Sequence, residues 1–395
     1  MQVGINCLHI DPAYVGGVNT YTLGLLEGFA AVKNGCRFQL YVTEANQHLF
    51  EKVREHSHFA ITVVDGRRLG LKKTICRAAL LSGSRKFYKC VSDVSFESIQ
   101  ELMDADSEVI YTPTTVMLCF KSRKPTLLSM HDIQHLHYPE FFNWPRRLSR
   151  RLTYGLSARH ASYFQASSHF IKEDLLNHFA EITPDQIEVI PEGVGVEEFA
   201  APRSVEHLVA RYGLAERFLF FPAQLWPHKN HLTVLKALKQ IELKHRLKIP
   251  LVMTGAEFSA GPQIFKFIAD QSMDYVRYLG KVPFEDLVAL YQQAAFLVTA
   301  VLYESSSLPI LEAAAAGTSI IASKTPPNEE LSRVLQLNLF DPLDTDQLAR
   351  LIFALWKDEQ TASAQAAYNR EHIVFYSWEN AARKYLQFFE RIVSS

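Results

Sequence analysis

Short apolar runs alternate with longer amphipathic segments along the whole chain, and the series starts twice. The first series runs through "QVGINCLHI", "FQLYVT", "EVIYTPT", "PTLLSMHD", "FQASS" and "IEVIPEGV", with helical patterns such as "NTYTLGLLEGFAAV" and "SHFIKEDLLNHFA" between them. The second opens at "RFLFFPAQL" and continues through "IPLVMTG", "VRYLGKV", "FLVTAVL" and "SIIAS". Strands that alternate with helices predict parallel sheets covered on both faces. At 395 residues the chain exceeds one ordinary core. The expected fold class is therefore α/β, with two doubly wound domains, 1–204 and 205–376. An amphipathic closing helix, 377–395, packs back on the first. Two such domains facing each other would bring the C-terminal ends of both sheets to one cleft, where open α/β sheets bind ligands.

Composition narrows the function classes. The formal net charge is −1, with 48% hydrophobic and 21% charged residues. No global field favours nucleic acid, and no nucleic-acid motif is present. The five cysteines are scattered without metal-ligand spacing, which fits a reduced, cytoplasmic setting. "MQVGINCLHI" reads as a strand rather than a signal peptide, and no apolar run reaches the ~20 residues that span a bilayer. Basic clusters in "GRRLGLKK" and "WPRRLSRRLTYGLSARH" are local patches. They suit either a solvated helix face or contact with anionic lipid headgroups.

The chemistry-bearing stretches follow strands. "DPAYVGGVNTYT" places Gly16 and Gly17 before a helix, as a plain turn or as a close approach for an anionic ligand. In "FFPAQLWPHKNH", Pro227 suits the start of a helix, putting Lys229 in its opening turn. A cation there opposes the dipole unless an anion lies between, or else the lysine is simply solvated in a loop. In "VLYESSSLPILEAAAAG", Pro309 marks a helix start and Gly317 its end. Glu312, one turn in, leans back toward Glu304. Paired carboxylates suit vicinal hydroxyls of a sugar or ribose, or else are one surface Glu and one Glu that stabilises the helix start. "SMHDIQHLHYPEFF" carries His131, His135 and His137. His131, at a strand end, reads as a ligand contact. A metal pair lacks a third ligand nearby, so no metal site is expected. Asp104 to Asp106 read as a solvated turn.

Together these stretches resemble the family-4 retaining glycosyltransferases, which have the GT-B fold of two Rossmann-like domains. Glu304 and Glu312, seven residues apart, match that family's paired-Glu motif, with Leu308, Pro309 and Gly317 in step. "QLWPHKNH" resembles its phosphate motif, "MHDIQHLHYPEFF" its His-Asp strand end, and "VRYLGKVPFEDLVALYQQA" its base-pocket segment. Gln224 stands where the family usually has Arg, Ser305 and Ser307 replace usual glycines, and Glu192 replaces a common Asn.

The resemblance implies transfer of a hexose, with mannose in view, from a nucleoside diphosphate sugar to a glycan or lipid-linked acceptor in surface polysaccharide or glycolipid synthesis. Attack and departure would share one face, with the leaving phosphate taking the acceptor proton. His131, Lys229 and Glu304 would be catalytic. Gly16, Gly17, Gln224, Lys229, Ser306, Ser307, Leu308 and Glu312 would bind the donor. No metal and no cofactor beyond the donor are expected, and the setting would be cytoplasmic, with peripheral contact at the inner membrane face. The competing readings are a non-catalytic nucleotide-sugar-binding subunit and a GT-B sugar-nucleotide epimerase.

Overall fold

The computed structural model describes residues 1–13, 16–33, 35–204 and 206–395. Its first sheet holds β1 (Gln2–Asn6), β2 (Arg37–Thr43), β3 (Phe59–Val64), β4 (Val109–Thr112), β5 (Thr126–Ser129), β6 (Tyr163–Ala166) and β7 (Ile187–Val189), in the order β3-β2-β1-β4-β5-β6-β7. The second holds β8 (Leu219–Pro222), β9 (Leu251–Thr254), β10 (Val276–Tyr278), β11 (Phe296–Thr299), β12 (Ser319–Ser323) and β13 (Asn338–Phe340), in the order β10-β9-β8-β11-β12-β13. Each strand pairs parallel to its neighbours.

Burial on both faces explains the unbroken apolar runs. In the second sheet Phe220, Val252, Leu297 and Ile320 enter one core. Their neighbours Leu219, Phe221, Leu251, Met253, Phe296, Val298 and Ile321 enter the other. Two strands lie outside the sequence reading. β3 is an edge strand whose residues are mostly half-exposed, and β13 is a three-residue edge strand. Edges bury less, so their pattern is weak.

The chain divides into Met1–Gly193 with Trp378–Ser395, and Val194–Ser377. This division falls before the expected residue 204, for a local reason. The Val194 N–H donates to the Tyr376 carbonyl at 2.9 Å, and the helix Val196–Ala200 packs on the helix Leu308–Ala316 of the second unit. Asp104 also departs from its reading. It ends no solvated turn but lies buried in the helix Arg85–Asp106, accepting from Gln100, Ser122 and the Arg123 N–H.

The closing helix, Trp378–Ser394, packs along Gly17–Ala31 within the first unit. Glycines make that approach possible. A Cβ on Gly24 would lie 2.3 Å from the Trp378 ring, one on Gly28 2.4 Å from its carbonyl oxygen, and one on Gly193 2.7 Å from its Cα. Alanine is worth about 1 kcal/mol more than glycine in a helix interior, whereas overpacking costs about 1–3 kcal/mol. Gly28→Ala should therefore lower stability, read as an earlier urea midpoint for the full chain. A midpoint equal to or above wild type would show that the helix pair is not tightly fitted.

Candidate functional site

The strand order of the second sheet reverses between β8 and β11, which pair side by side. The two loops that leave their C-terminal ends diverge from one point, and that crevice is where ligands bind in open α/β sheets. The loop after β8 carries Gln224 and Lys229, and the loop after β11 carries Glu304 to Ser307.

The β8 loop is fixed from several sides. Pro227–Lys229 form a 3-10 turn, and the long helix begins only at His231. Lys229 thus precedes the helix rather than lying in its first turn. Asn230 makes the junction in the left-handed region, φ 56°, with its amide donating to the Pro342 carbonyl at 3.0 Å. The Leu302 N–H donates to the His228 carbonyl at 2.8 Å, tying the turn to the β11 loop. Gln224 accepts through Oε1 from the Trp226 indole at 3.0 Å, and Trp226 stacks on Phe258. Gly255, at φ 123°, lets β9 pass close beneath. A Cβ there would sit 2.6 Å from the Ala223 carbonyl oxygen.

Lys229 and Glu304 meet at this crevice, with Nζ 3.5 Å from Oε2. Glu304 is buried, and that burial raises its pKa against the opposing pull of Lys229, Ser307 and Asn328 beside it. Its other oxygen, Oε1, has no hydrogen-bond partner among the described residues. The same holds for the buried Oγ of Ser307, Oγ of Ser323, Oγ1 of Thr325 and Oδ1 of Asn328. Asn328 donates its amide to the Ser323 carbonyl at 2.9 Å, which leaves that oxygen turned elsewhere. Buried polar atoms are nearly always paired, so this concentration of acceptors and hydroxyls marks a place for hydroxyl-bearing ligand or solvent.

Leu308–Ala316 form the helix that follows, with Pro309 in its first turn and Gly317, φ 76°, closing it. Ser306 and Leu308 are half-buried at its start. Glu312 accepts from the Tyr291 hydroxyl at 2.6 Å. Burial pushes its pKa up to about 7, with the Tyr291 hydrogen bond pulling the other way. The phenol of Tyr291 is itself raised well above its ordinary value by burial and by that carboxylate.

The remaining candidates belong to the first unit. Gly16 caps the helix Gly17–Ala31 in extended conformation, and the Asn19 N–H donates to its carbonyl at 2.9 Å. A Cβ on Gly17 would meet nothing within 4 Å, so packing does not require glycine there. His131, after β5, lies edge-on to Tyr21 with centroids 4.9 Å apart. Its Nε2 is 3.2 Å from the Pro113 carbonyl, which can only accept, so Nε2 carries the proton. Nδ1 lies 3.9 Å from Glu192. Burial lowers the His131 pKa and favours the neutral ring. Beneath it, the hydroxyls of Tyr21, Tyr111, Ser129 and Tyr385 form one buried network. Thr325, Asn328 and Tyr291 are the site residues that sequence reasoning missed. The strand end "SIIASKTPPN" was the available signal for the first two.

Residues 210–372 match the family of glycosyl transferases group 1, and residues 15–198 match glycosyltransferase family 4. Between them these matches take in most of the chain, which belongs to the group-1, family-4 glycosyltransferases. Among curated relatives, O-antigen chain mannosyltransferase B of Escherichia coli is 27% identical over 182 residues, 46% of this chain and 48% of that protein. The chain thus spans about half the length of that relative. A D-inositol 3-phosphate glycosyltransferase of Corynebacterium glutamicum is 23% identical over 345 residues, 82% of this chain and 80% of that protein. HepE of Anabaena, solved with UDP and glucose, has a TM-score of 0.75 at 17% identity, covering 99% of this chain and all of that one. At that identity the likeness speaks for the fold alone.

The raised pKa of Glu312 gives a stability signature. A carboxyl that is harder to ionise in the fold stabilises it fully below the ordinary value of 4.5, and that stability is lost as pH rises through about 7. Glu312→Gln should therefore raise Tm relative to wild type at pH 8, with the gain vanishing toward pH 4.5. Thermal melts across that range check it. A gain independent of pH would remove Glu312 as the cause.

Proposed function

We propose that this chain moves a hexose, mannose foremost, from a nucleoside diphosphate sugar to a hydroxyl of a growing surface polysaccharide or lipid-linked glycan, with retention at the anomeric carbon. The observation that carries the reading is the Lys229–Glu304 pair at the reversal of the second sheet, set among buried oxygens for which the described residues offer no geometrically sound hydrogen bond. The similarity to the E. coli mannosyltransferase supports the choice of sugar and of product class.

In this reading Lys229 receives the diphosphate, helped by the Gln224 amide and by N–H groups at the Ser306–Pro309 turn. A fixed ammonium and fixed dipoles stabilise the charge that grows as the glycosidic bond breaks. Glu304 accepts from hydroxyls of the transferring sugar, and Glu312 from the ribose diol, an exchange for its Tyr291 partner. Glu304 is a positioning acid rather than a nucleophile. The sugar is attacked on the face its phosphate leaves, and the phosphate oxygen takes the acceptor proton. The lysine and backbone dipoles serve the diphosphate without a divalent ion. Gln224, in a place where the family usually has Arg, favours a second reading, a subunit that binds donor without turning it over.

Peripheral membrane contact on the cytoplasmic side belongs to the same proposal. The helices Gly66–Leu80 and Trp144–His160 pack against each other and expose Arg67, Arg68, Arg146, Arg147 and Arg151 beside Leu71, Ile75 and Trp144. Lys73 is spent internally, donating to the Leu8 carbonyl. Among the described residues no helix is long and apolar enough to cross a membrane.

Lys229→Ala and Glu304→Gln should each lower kcat for transfer from GDP-mannose or another accepted nucleotide sugar by roughly 10²-fold or more. Unchanged rates in both would move the site elsewhere. If wild type binds donor but neither transfers nor slowly hydrolyses it, the binding-subunit reading replaces the enzyme. Reversing Arg67, Arg68, Arg146 and Arg147 to Glu should abolish co-sedimentation with phosphatidylglycerol vesicles. Retained sedimentation would exclude this face.

A further inference from the structure

The acid assigned above to the ribose is held by a side chain that the transfer reaction does not otherwise use. Among the described residues Glu312 takes part in no ion pair, unlike Glu304 beside Lys229. The one hydrogen bond to its carboxylate there comes from the Tyr291 hydroxyl, 2.6 Å from Oε2. The two residues are 21 apart in sequence and meet because the helices Phe284–Gln293 and Leu308–Ala316 pack together. Tyr291 is fixed from several sides. It is fully buried, and its ring stands edge-on to Phe199 and to Phe220, with centroids 5.7 and 5.0 Å away. Its carbonyl, near the end of its helix, accepts from the Thr318 hydroxyl at 2.6 Å. Glu312 is half-buried between the core residues Leu311 and Ala313.

Resting on the assignment of Glu312 to the ribose, we infer that Tyr291 is a positioning residue for nucleotide recognition: its phenol holds the Glu312 carboxylate in place until the ribose diol engages it. A carboxylate taken partly out of water needs hydrogen-bond donors. A phenol meets that need from a fixed direction and without neutralising the charge, so the whole negative charge stays available to ligand hydroxyls. An ammonium in the same place would compete with them. Burial raises the Glu312 pKa and the Tyr291 bond pulls the other way, so the phenol also favours the ionised form, in which both oxygens accept. An acceptor fixed in advance lowers the ordering cost of binding. The ring is already wedged between two phenylalanines, so Tyr291→Phe removes the hydroxyl and keeps the packing.

The test measures, by calorimetry at pH 8, the affinity of the full chain for GDP and UDP against their 2′-deoxy counterparts. It compares wild type, Tyr291→Phe, Glu312→Gln and the double variant. Wild type should prefer the ribonucleotide by roughly tenfold or more, the worth of a hydrogen bond to a charged group. Tyr291→Phe should cut that preference at least threefold while binding the deoxynucleotide as wild type does. Glu312→Gln should abolish the preference, and the double variant should match Glu312→Gln, because Tyr291 acts through that carboxylate. A wild-type preference that Tyr291→Phe leaves intact overturns the inference alone. So does a loss in Tyr291→Phe shared equally by both nucleotides, or a double variant weaker than Glu312→Gln. No preference in wild type, or one that survives Glu312→Gln, removes Glu312 from the ribose and the inference with it.

Discussion

Parallel pairing of β8 with β11 governs what the rest of the second unit can do. Helical crossovers send the chain to opposite sides of these adjacent strands, so the loops at their C-terminal ends part and leave a crevice. Lys229 and Glu304 are 75 residues apart in sequence and meet only because their strands are neighbours. The bond from the Leu302 N–H to the His228 carbonyl then sets the distance between the loops. Every later feature of the site is arranged around that junction.

The electrostatics of the crevice are deliberately unfinished business for the protein alone. Burial works against the charge on Glu304, while Lys229, Ser307 and Asn328 favour it. Among the described residues, one oxygen of Glu304 and one each of Ser307, Ser323, Thr325 and Asn328 find no hydrogen-bond partner. A diphosphate arriving at Lys229 would draw the ammonium from Glu304, and sugar hydroxyls would then satisfy the carboxylate.

Much of this was legible in the sequence because it rests on local rules. Pro309 and Gly317 bracket a helix by backbone preference, and Glu312 follows from helical spacing. The two sheets followed from apolar runs buried on both faces. What escaped depends on contacts distant in sequence or on weak pattern. Asn328 and Thr325 join the site because β12 lies beside β11, a neighbourhood that spacing alone does not report. Edge strands β3 and β13 bury too little to stand out. The division after Gly193 depends on a hydrogen bond to Tyr376 and on the seat of Trp378, neither visible as a linker.

Trp378, set against Gly24, Gly28 and Gly193, returns the chain to the first unit after the whole of the second has intervened in sequence. During synthesis the opening 193 residues leave the ribosome without their final helix, and the whole intervening unit must emerge before that helix arrives. Until then the face of Gly17–Ala31 that will receive it, together with the hydroxyl of Tyr21 that will meet Tyr385, stays open to solvent or to chaperones. Nascent chains that stop before residue 378 would keep that face of Gly17–Ala31 uncovered.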